Sequence, residues 1–267
     1  MLSDITLGQY YPGTSPIHKL DPRSKILASL LYIIGVFLAT EPISYAIIIS
    51  FLFGIIMLSK LPVYLVLKSI KPLWIIIVLT LAIHVFTGQG EELWSWKYFT
   101  VTKEGLAMGI KMSLRLILLL MISSILTFTT SPIVLTDGIE ALLKPFRKLG
   151  VPAHELAMMM TIALRFIPTL LEETDRIMKA QASRGADFSS GNLIKRIKSL
   201  LPILIPLFIS AFRRADELAV AMEARCYRGG EGRTRMHELQ YHKRDGVAGV
   251  SLAILIVVLS FLRWGLA

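Results

Sequence analysis

The sequence predicts an all-α, polytopic membrane protein with about five spanning helices and long interfacial helices that face the cytoplasm. Apolar residues make up 54% of its 267 residues and come in blocks, whereas a soluble domain disperses them at helical or strand spacing. A helix needs ~20 mostly apolar residues to cross a ~30 Å hydrocarbon core. The predicted spans are Ile26–Thr40, Ile43–Leu58, Leu73–Thr87, Met108–Thr127 and Val247–Leu262. A buried soluble hairpin is the alternative for the first two blocks, but the other blocks repeat the pattern.

The distribution of charge predicts on which side of the membrane each segment lies. Bases precede the first span and separate the second from the third (Lys19, Arg23, Lys25, Lys60, Lys68 and Lys71). The link after the first span carries Glu41 and no base, and the link after the third carries Glu91, Glu92 and Glu104 against Lys97 and Lys103. The positive-inside rule then places the N-terminus and residues 131–246 in the cytoplasm and the C-terminus outside. We therefore predict a bundle of four spans over residues 1–130, a cytoplasmic or interfacial segment over 131–246 and a last span over 247–267. Most of the 29 Lys and Arg residues lie in segments predicted to be cytoplasmic, so the positive-inside rule explains most of the basic residues and we expect no nucleic-acid partner.

Residues 131–246 hold 18 of the 29 Lys and Arg residues, yet they also contain apolar blocks. The pattern predicts three helices, which are Asp137–Gly150, Val151–Ala182 with a kink or break at Pro168, and Leu193–Arg225 with breaks at Pro202 and Pro206. Apolar blocks of ~10–14 residues are too short to span, and a basic helix with one apolar face lies in the membrane interface. A tilted span through Leu200–Phe212 is the alternative.

Two of these helices end alike. The first closes with Gln181-Ala182-Ser183-Arg184-Gly185 and the second with Glu223-Ala224-Arg225-Cys226-Tyr227-Arg228-Gly229. Each end has an arginine beside small residues and near a glycine that can take a left-handed cap. Such an arginine can form bidentate bonds to carboxylates, and two of them, 41 residues apart, suit a two-fold partner. The alternative is that both arginines only complement the helix dipole and touch lipid headgroups.

Motifs along essentially the whole chain resemble those of one known family. They are Ala182-Ser183-Arg184-Gly185, Ala224-Arg225-Cys226, Tyr227-Arg228-Gly229-Gly230 and Ser15-Pro16-Ile17-His18-Lys19-Leu20-Asp21-Pro22-Arg23. In this order and topology they resemble the transmembrane T component of energy-coupling factor transporters, the EcfT/CbiQ family. One departure is Cys226, which stands where the family often has glycine, so Gly229 is an alternative end for the second helix.

The resemblance implies an uptake transporter for vitamins or transition-metal ions in a prokaryotic cell membrane. A T component bridges two cytosolic ABC ATPases and a small substrate-binding membrane protein, the S component, for which the long coupling helices form a platform. In the family each motif arginine docks in an acidic groove of one ATPase, and this role carries over to Arg184 and Arg225. The neighbouring candidates for ATPase docking are Ala182, Ser183, Gly185, Glu223, Ala224 and Arg228.

Motifs that would make the chain an enzyme are absent or incomplete. No G-x-x-x-x-G-K-[ST] phosphate loop occurs, so we expect ATP hydrolysis in the partner ATPases, and we expect no cofactor. On a helix His237 and His242 would lie ~140° apart, which does not suit a zinc pair. Cys226 is expected to pack rather than to react.

Polar residues within the predicted spans are the basis of an alternative function, a stand-alone membrane transporter or membrane-embedded enzyme. The candidates are His84 and Arg115, of which Arg115 is expected to pair with a carboxylate or a backbone carbonyl, while Lys111 can extend to the outer surface. The run Met158–Met160 suggests either a metal site or an adaptable contact surface, and we favour the contact surface.

Overall fold

The structure is a computed structural model that describes residues 10–88, 90–96, 99–186, 193–230 and 238–265. Within these ranges it contains nine α-helices and one two-stranded hairpin, which confirms the predicted all-α class. The helices are α1 (Pro22–Leu38), α2 (Pro42–Ser59), α3 (Val63–Lys68), α4 (Trp74–Thr87), α5 (Lys103–Thr129), α6 (Pro132–Leu143), α7 (Ala153–Ser183), α8 (Leu193–Ala224) and α9 (Lys243–Gly265). Short 3-10 turns at Lys71–Leu73 and Lys144–Leu149 precede α4 and follow α6.

The chain divides into two compact units. The bundle unit comprises the described residues of Gly8–Gly138 and Leu239–Ala267, and the helix-pair unit those of Ile139–Glu238. In the bundle unit α1 packs against α5 and α9, and α4 packs against α5. Its core is apolar and includes the fully buried Tyr32, whose hydroxyl donates to the carbonyl of Ile48 at 3.2 Å. Large apolar side chains such as Phe53 and Phe261 remain exposed on its outside, as lipid contact requires.

An antiparallel hairpin joins α4 to α5, where the sequence predicted only an acidic link. It consists of β1 (Glu92–Trp96) and β2 (Phe99–Thr102). Thr102 ends β2 and caps α5, because its hydroxyl oxygen accepts the N–H of Gly105 at 3.1 Å.

Five helical segments in the described ranges are long and apolar enough, by length and composition, to cross a membrane. They are Pro42–Ser59, Val63–Thr87, Lys103–Thr129, Ala153–Ser183 and Lys243–Trp264. Four of the five coincide with predicted spans. The remaining predicted span, the first, corresponds to α1, whose 17 residues rise only ~25 Å and which is not among the five segments. The fifth segment is instead α7, for which we predicted an interfacial position. Both of these assignments stay predictions.

In the helix-pair unit, the prolines do not break the helices. α7 continues through Pro168, and α8 continues through Pro202 and Pro206, so the predicted breaks are wrong, whereas the alternative of a kink at Pro168 stays a prediction. A proline removes one hydrogen bond at a cost of ~3 kcal/mol, which packing of α7 against α8 can offset. The predicted helix Asp137–Gly150 begins earlier, at Pro132, and its α-helical part ends at Leu143.

Candidate functional site: two arginine-ended helices

The end of α7 is a tight, fully hydrogen-bonded cap. Arg184 is the C-cap residue, and Gly185 follows it in the left-handed region at φ +88°. The N–H of Gly185 donates to the carbonyl of Ala182 at 3.0 Å, and the N–H of Ala186 donates to that of Gln181 at 3.0 Å. This pair of bonds defines a Schellman motif, which fixes the backbone of the arginine.

The end of α8 repeats this geometry. The N–H of Cys226 donates to the carbonyl of Glu223 at 2.8 Å, and the N–H of Tyr227 donates to that of Met222 at 3.0 Å. Cys226 itself takes the left-handed conformation, at φ +55°. The proposed alternative end at Gly229 is therefore wrong, and Arg225 is the C-cap residue just as Arg184 is in α7. A hydrogen-bonded cap imposes the conformation on cysteine although glycine would suit it better.

Both arginines are exposed. In the described part of the chain, neither guanidinium has a hydrogen-bond or ion-pair partner. The other predicted docking residues lie at the same two helix ends and are exposed as well (Ala182, Ser183 and Gly185 at the first; Glu223, Ala224 and Arg228 at the second). Each helix end thus presents an arginine guanidinium among small or polar neighbours. This combination can bind a carboxylate at close range.

An ion pair joins α7 to α8. Nη2 of Arg214 donates to Oε2 of Glu173 at 2.9 Å. Glu173 lies eleven residues before Arg184, and Arg214 lies eleven residues before Arg225. At 1.5 Å per residue, both arginines therefore stand ~16 Å along their helices from this contact.

The segment after α8 is attached to the beginning of α7. The hydroxyl of Tyr227 lies 3.4 Å from Nε2 of His154, whose Nδ1 lies 3.1 Å from Oε1 of Glu140. A Cβ on Gly230 would come within 2.5 Å of the His154 ring, so only glycine fits there. We did not predict this contact from the sequence, because the adjacent Gly229 and Gly230 are consistent with a close approach but do not identify His154 as the partner.

The N-terminal motif has a structural role in the bundle unit. Nε2 of His18 donates to the carbonyl of Tyr11 at 3.0 Å, and its Nδ1 lies 2.7 Å from Oγ of Ser15. The buried Lys25 donates to the carbonyls of His18 and Thr129 at 3.0 and 2.9 Å, and to the hydroxyl of Thr130 at 3.2 Å. All three donors of the ammonium are used, so this side chain ties the segment before α1 to the end of α5.

A second polar cluster joins the starts of α1 and α9. Asp21 caps α1 by accepting the N–H of Arg23 at 2.9 Å, and Asp245 accepts the N–H groups of Asp21 and His242, each at 2.8 Å. Arg23 donates to Asp21 and to the carbonyl of Leu239 and lies 4.0 Å from the ring centre of Tyr241. Burial alone would raise the pKa of Asp21, but the hydrogen bonds and positive charge of Arg23 outweigh it and hold the pKa below the ordinary value.

The polar residues of the predicted spans do not form a site. Nη2 of Arg115 lies 3.5 Å from the carbonyl of Ala39 and 3.5 Å from the hydroxyl of Tyr45, which confirms a carbonyl partner. Nδ1 of His84 contacts the carbonyl of Thr80 on its own helix at 2.8 Å. Among the described residues no three His, Cys, Asp or Glu side chains are grouped to hold a metal. His237 lies outside the described residues, and His242 precedes α9.

The chain matches known proteins over nearly its full length. A family model described as "CbiQ: Cobalt transport protein" matches residues 13–237. The chain belongs to the EcfT/CbiQ family. It is 72% identical over 266 residues to the energy-coupling factor transporter transmembrane protein EcfT of Acidaminococcus fermentans, covering 100% of this chain and 99% of the relative. It is also 56% identical to EcfT of Clostridium kluyveri (99% and 100% covered) and 48% identical to EcfT of Bacillus subtilis (98% and 100% covered).

These matches confirm the resemblance on which the prediction rested. As an EcfT/CbiQ family member, the chain is the multi-pass transmembrane component of an energy-coupling factor transporter in a prokaryotic cell membrane. It is a transport component and not an enzyme, so the alternative of a membrane-embedded enzyme is wrong.

Proposed function

We propose that the chain transmits the ATP-driven movement of two cytosolic ABC ATPases to a substrate-binding S component. Each ATPase would hold one helix end, with Arg184 in the acidic groove of one subunit and Arg225 in that of the other. The observation that carries the proposal is the pair of matching Schellman ends, each with an exposed arginine at its C-cap. Two sites of the same local geometry suit two ATPases that are alike.

The helices before these ends have the properties of levers. Their caps fix the backbone at each arginine, so a force on the guanidinium acts on the helix and not on a loose loop. The Glu173–Arg214 ion pair would pass movement of one helix to the other. Exposed apolar residues such as Met159, Met160 and Phe208 offer the S component an adaptable surface.

The membrane topology belongs to the same proposal. Cytosolic ATPases can reach both arginines only if residues 131–246 face the cytoplasm, with the N-terminus inside and the C-terminus outside. The proposed segments are again the bundle of residues 1–130, the coupling segment of 131–246 and the last span of 247–267. We assign the choice of cargo, a vitamin or a transition-metal ion, to the S component.

The docking proposal is tested by reversing both charges in the Arg184→Glu, Arg225→Glu double variant. Because each reversal puts two acids together at close range, and loss of a buried charge pair costs about 2–5 kcal/mol, co-purification of both ATPases and transport should be lost. Each single variant should weaken the attachment of one ATPase. The matched control, Arg176→Glu with Arg213→Glu, changes two exposed arginines of the same helices and should retain both ATPases. Normal ATPase binding by an inserted Arg184→Glu, Arg225→Glu variant would overturn the proposal.

A further inference from the structure

A large apolar groove opens in the bundle unit between α1, α2, α5 and α9. Its volume is about 760 Å³, within the range of small-molecule sites. It lies where α1 and α9 begin and where α2 and α5 end, so all of its walls belong to the same end of the bundle. On the proposed topology this is the cytoplasmic end.

Four polar side chains in the walls of the groove already have hydrogen-bond partners within the bundle unit. The hydroxyls of Ser29, Thr129 and Ser251 each donate to a carbonyl of their own helix at 2.8 Å. The ammonium of Lys25 has its three hydrogen bonds within the bundle. The remaining wall is made mainly of aliphatic and aromatic side chains such as Phe51.

The charged side chains that line the groove are all basic. Lys25, Lys243 and Arg244 line it, and no acid does so among the described residues. Lys243 and Arg244 are exposed, and neither side chain has a hydrogen-bond or ion-pair partner in the described ranges. Asp245, the nearest acid in sequence, is buried and accepts the N–H groups of Asp21 and His242.

We propose that this groove binds an anionic glycerophospholipid, with its phosphate at Lys243 and Arg244 and an acyl chain along α9. The dimensions fit a lipid. From Lys243 to Leu252 the wall of α9 runs nine residues, or ~14 Å, which matches one leaflet of a ~30 Å hydrocarbon core. Basic pockets between helices at the cytoplasmic side recognise anionic headgroups in this way.

Native mass spectrometry of the purified full chain tests the charge requirement. Phosphatidylglycerol should bind at least tenfold more tightly than phosphatidylcholine with the same acyl chains, and glycerophosphate without chains should not bind. Lys243→Gln with Arg244→Gln should weaken phosphatidylglycerol binding about thirty-fold, equivalent to about 1 kcal/mol per charge, and leave phosphatidylcholine unchanged. The control, Lys68→Gln with Lys71→Gln, removes two exposed bases outside the groove. Equal binding of the two lipids, or an equal effect of the control, would overturn the proposal.

A matched pair of glycines tests the apolar part. Gly54 lines the groove and Gly249 does not, and a Cβ on either would meet no atom within 4 Å. Gly54→Phe should therefore fill the groove and displace the lipid, whereas Gly249→Phe should not. If Gly54→Phe keeps the lipid but loses a co-purifying membrane subunit, the groove docks a protein and the lipid proposal is wrong.

Discussion

At the end of α8, Cys226 holds a backbone conformation that L side chains disfavour. Its counterpart in α7 is Gly185, for which the same conformation is free of cost. A Cβ in the left-handed region costs about 1–2 kcal/mol, partly offset in Cys226→Gly by the extra freedom of glycine in the unfolded chain. The two helix ends thus have the same geometry but differ in stability.

Replacing Gly185 by alanine should destabilise the end of α7, whereas replacing Cys226 by glycine should stabilise the end of α8. We expect Gly185→Ala to speed amide hydrogen exchange at Ala186 about fivefold, corresponding to about 1 kcal/mol. Cys226→Gly should slow exchange at Tyr227 about two- to fivefold. Ala224→Gly, inside the last turn of α8, is the control and should speed exchange at Tyr227. Faster exchange in Cys226→Gly would contradict the assignment of its left-handed conformation.

Two cationic side chains of the bundle unit, Lys25 and Arg115, differ in how completely their N–H groups are hydrogen-bonded. Lys25 makes three hydrogen bonds of 2.9–3.2 Å, whereas Arg115 has contacts of 3.5 Å to oxygen and a buried Nε without a partner. Lys25→Met would leave two carbonyls unpaired and should cost about 3 kcal/mol, because each buried unsatisfied group costs about 1–3 kcal/mol.

The same replacement at Arg115 serves as the comparison. Arg115→Met should leave stability unchanged or raise it, since a charge within a span is costly and a poorly paired buried charge contributes little. Thermal unfolding in detergent measures both effects. A larger loss of stability in Arg115→Met than in Lys25→Met would show that the arginine is the structural residue.

At the scale of elements, the Asp21–Arg23–Asp245 cluster connects α1 to α9, and its contribution depends on pH in a defined direction. Since the folded-state pKa of Asp21 lies below its ordinary value of 3.8, its contribution is complete above that pH and is lost as pH falls through the folded-state value. It therefore does not vary between about pH 5 and 8.

The Asp21→Asn variant isolates this charge, because asparagine remains a good N-cap. We expect a loss of about 1–2 kcal/mol at pH 7, as for a hydrogen bond to a charged group. The difference from the wild type should begin to shrink below about pH 4, where the carboxylate of the unfolded chain takes up a proton, and should vanish as pH falls through the lower folded-state pKa. Asp175→Asn, which removes an exposed ion pair with Lys179, is the control and should change stability by no more than about 0.5 kcal/mol. Unfolding midpoints at pH 7 and pH 3.5 measure both variants.

Local signals explain which elements were predictable. The caps at Arg184 and Arg225 depend on residues within a single turn, and the spans depend on continuous apolar runs, so the sequence indicated both. Contacts between distant positions left no such signal: Asp21 meets Asp245 across 224 residues, and His154 meets Tyr227 across 73. The prolines of α7 and α8 misled the prediction because a local rule took no account of the packing between the two helices.

At the scale of the whole molecule, the number of membrane crossings before Cys226 decides whether both arginines can meet cytosolic ATPases. α7 has the length of a span, but its mostly apolar part, Leu156–Leu171, covers sixteen residues or ~24 Å and contains Arg165 near its middle. A crossing would place Arg165 near the bilayer centre, where a charge costs at least about 2.5 kcal/mol, and the next turns carry Glu172, Glu173 and Asp175. These costs favour an interfacial α7 over a sixth crossing.

Labelling of the single cysteine separates these two topologies. Cys226 is exposed and is the chain's only cysteine. In cells that express the chain without its ATPases, which would cover the thiol, a membrane-impermeant maleimide should label Cys226 only in inside-out vesicles. Cys226→Ser is the unlabelled control, and Ala267→Cys in that background should label from outside. Labelling of Cys226 from outside intact cells would mean that α7 or α8 crosses the membrane once more, and a cytosolic ATPase could then not reach Arg225.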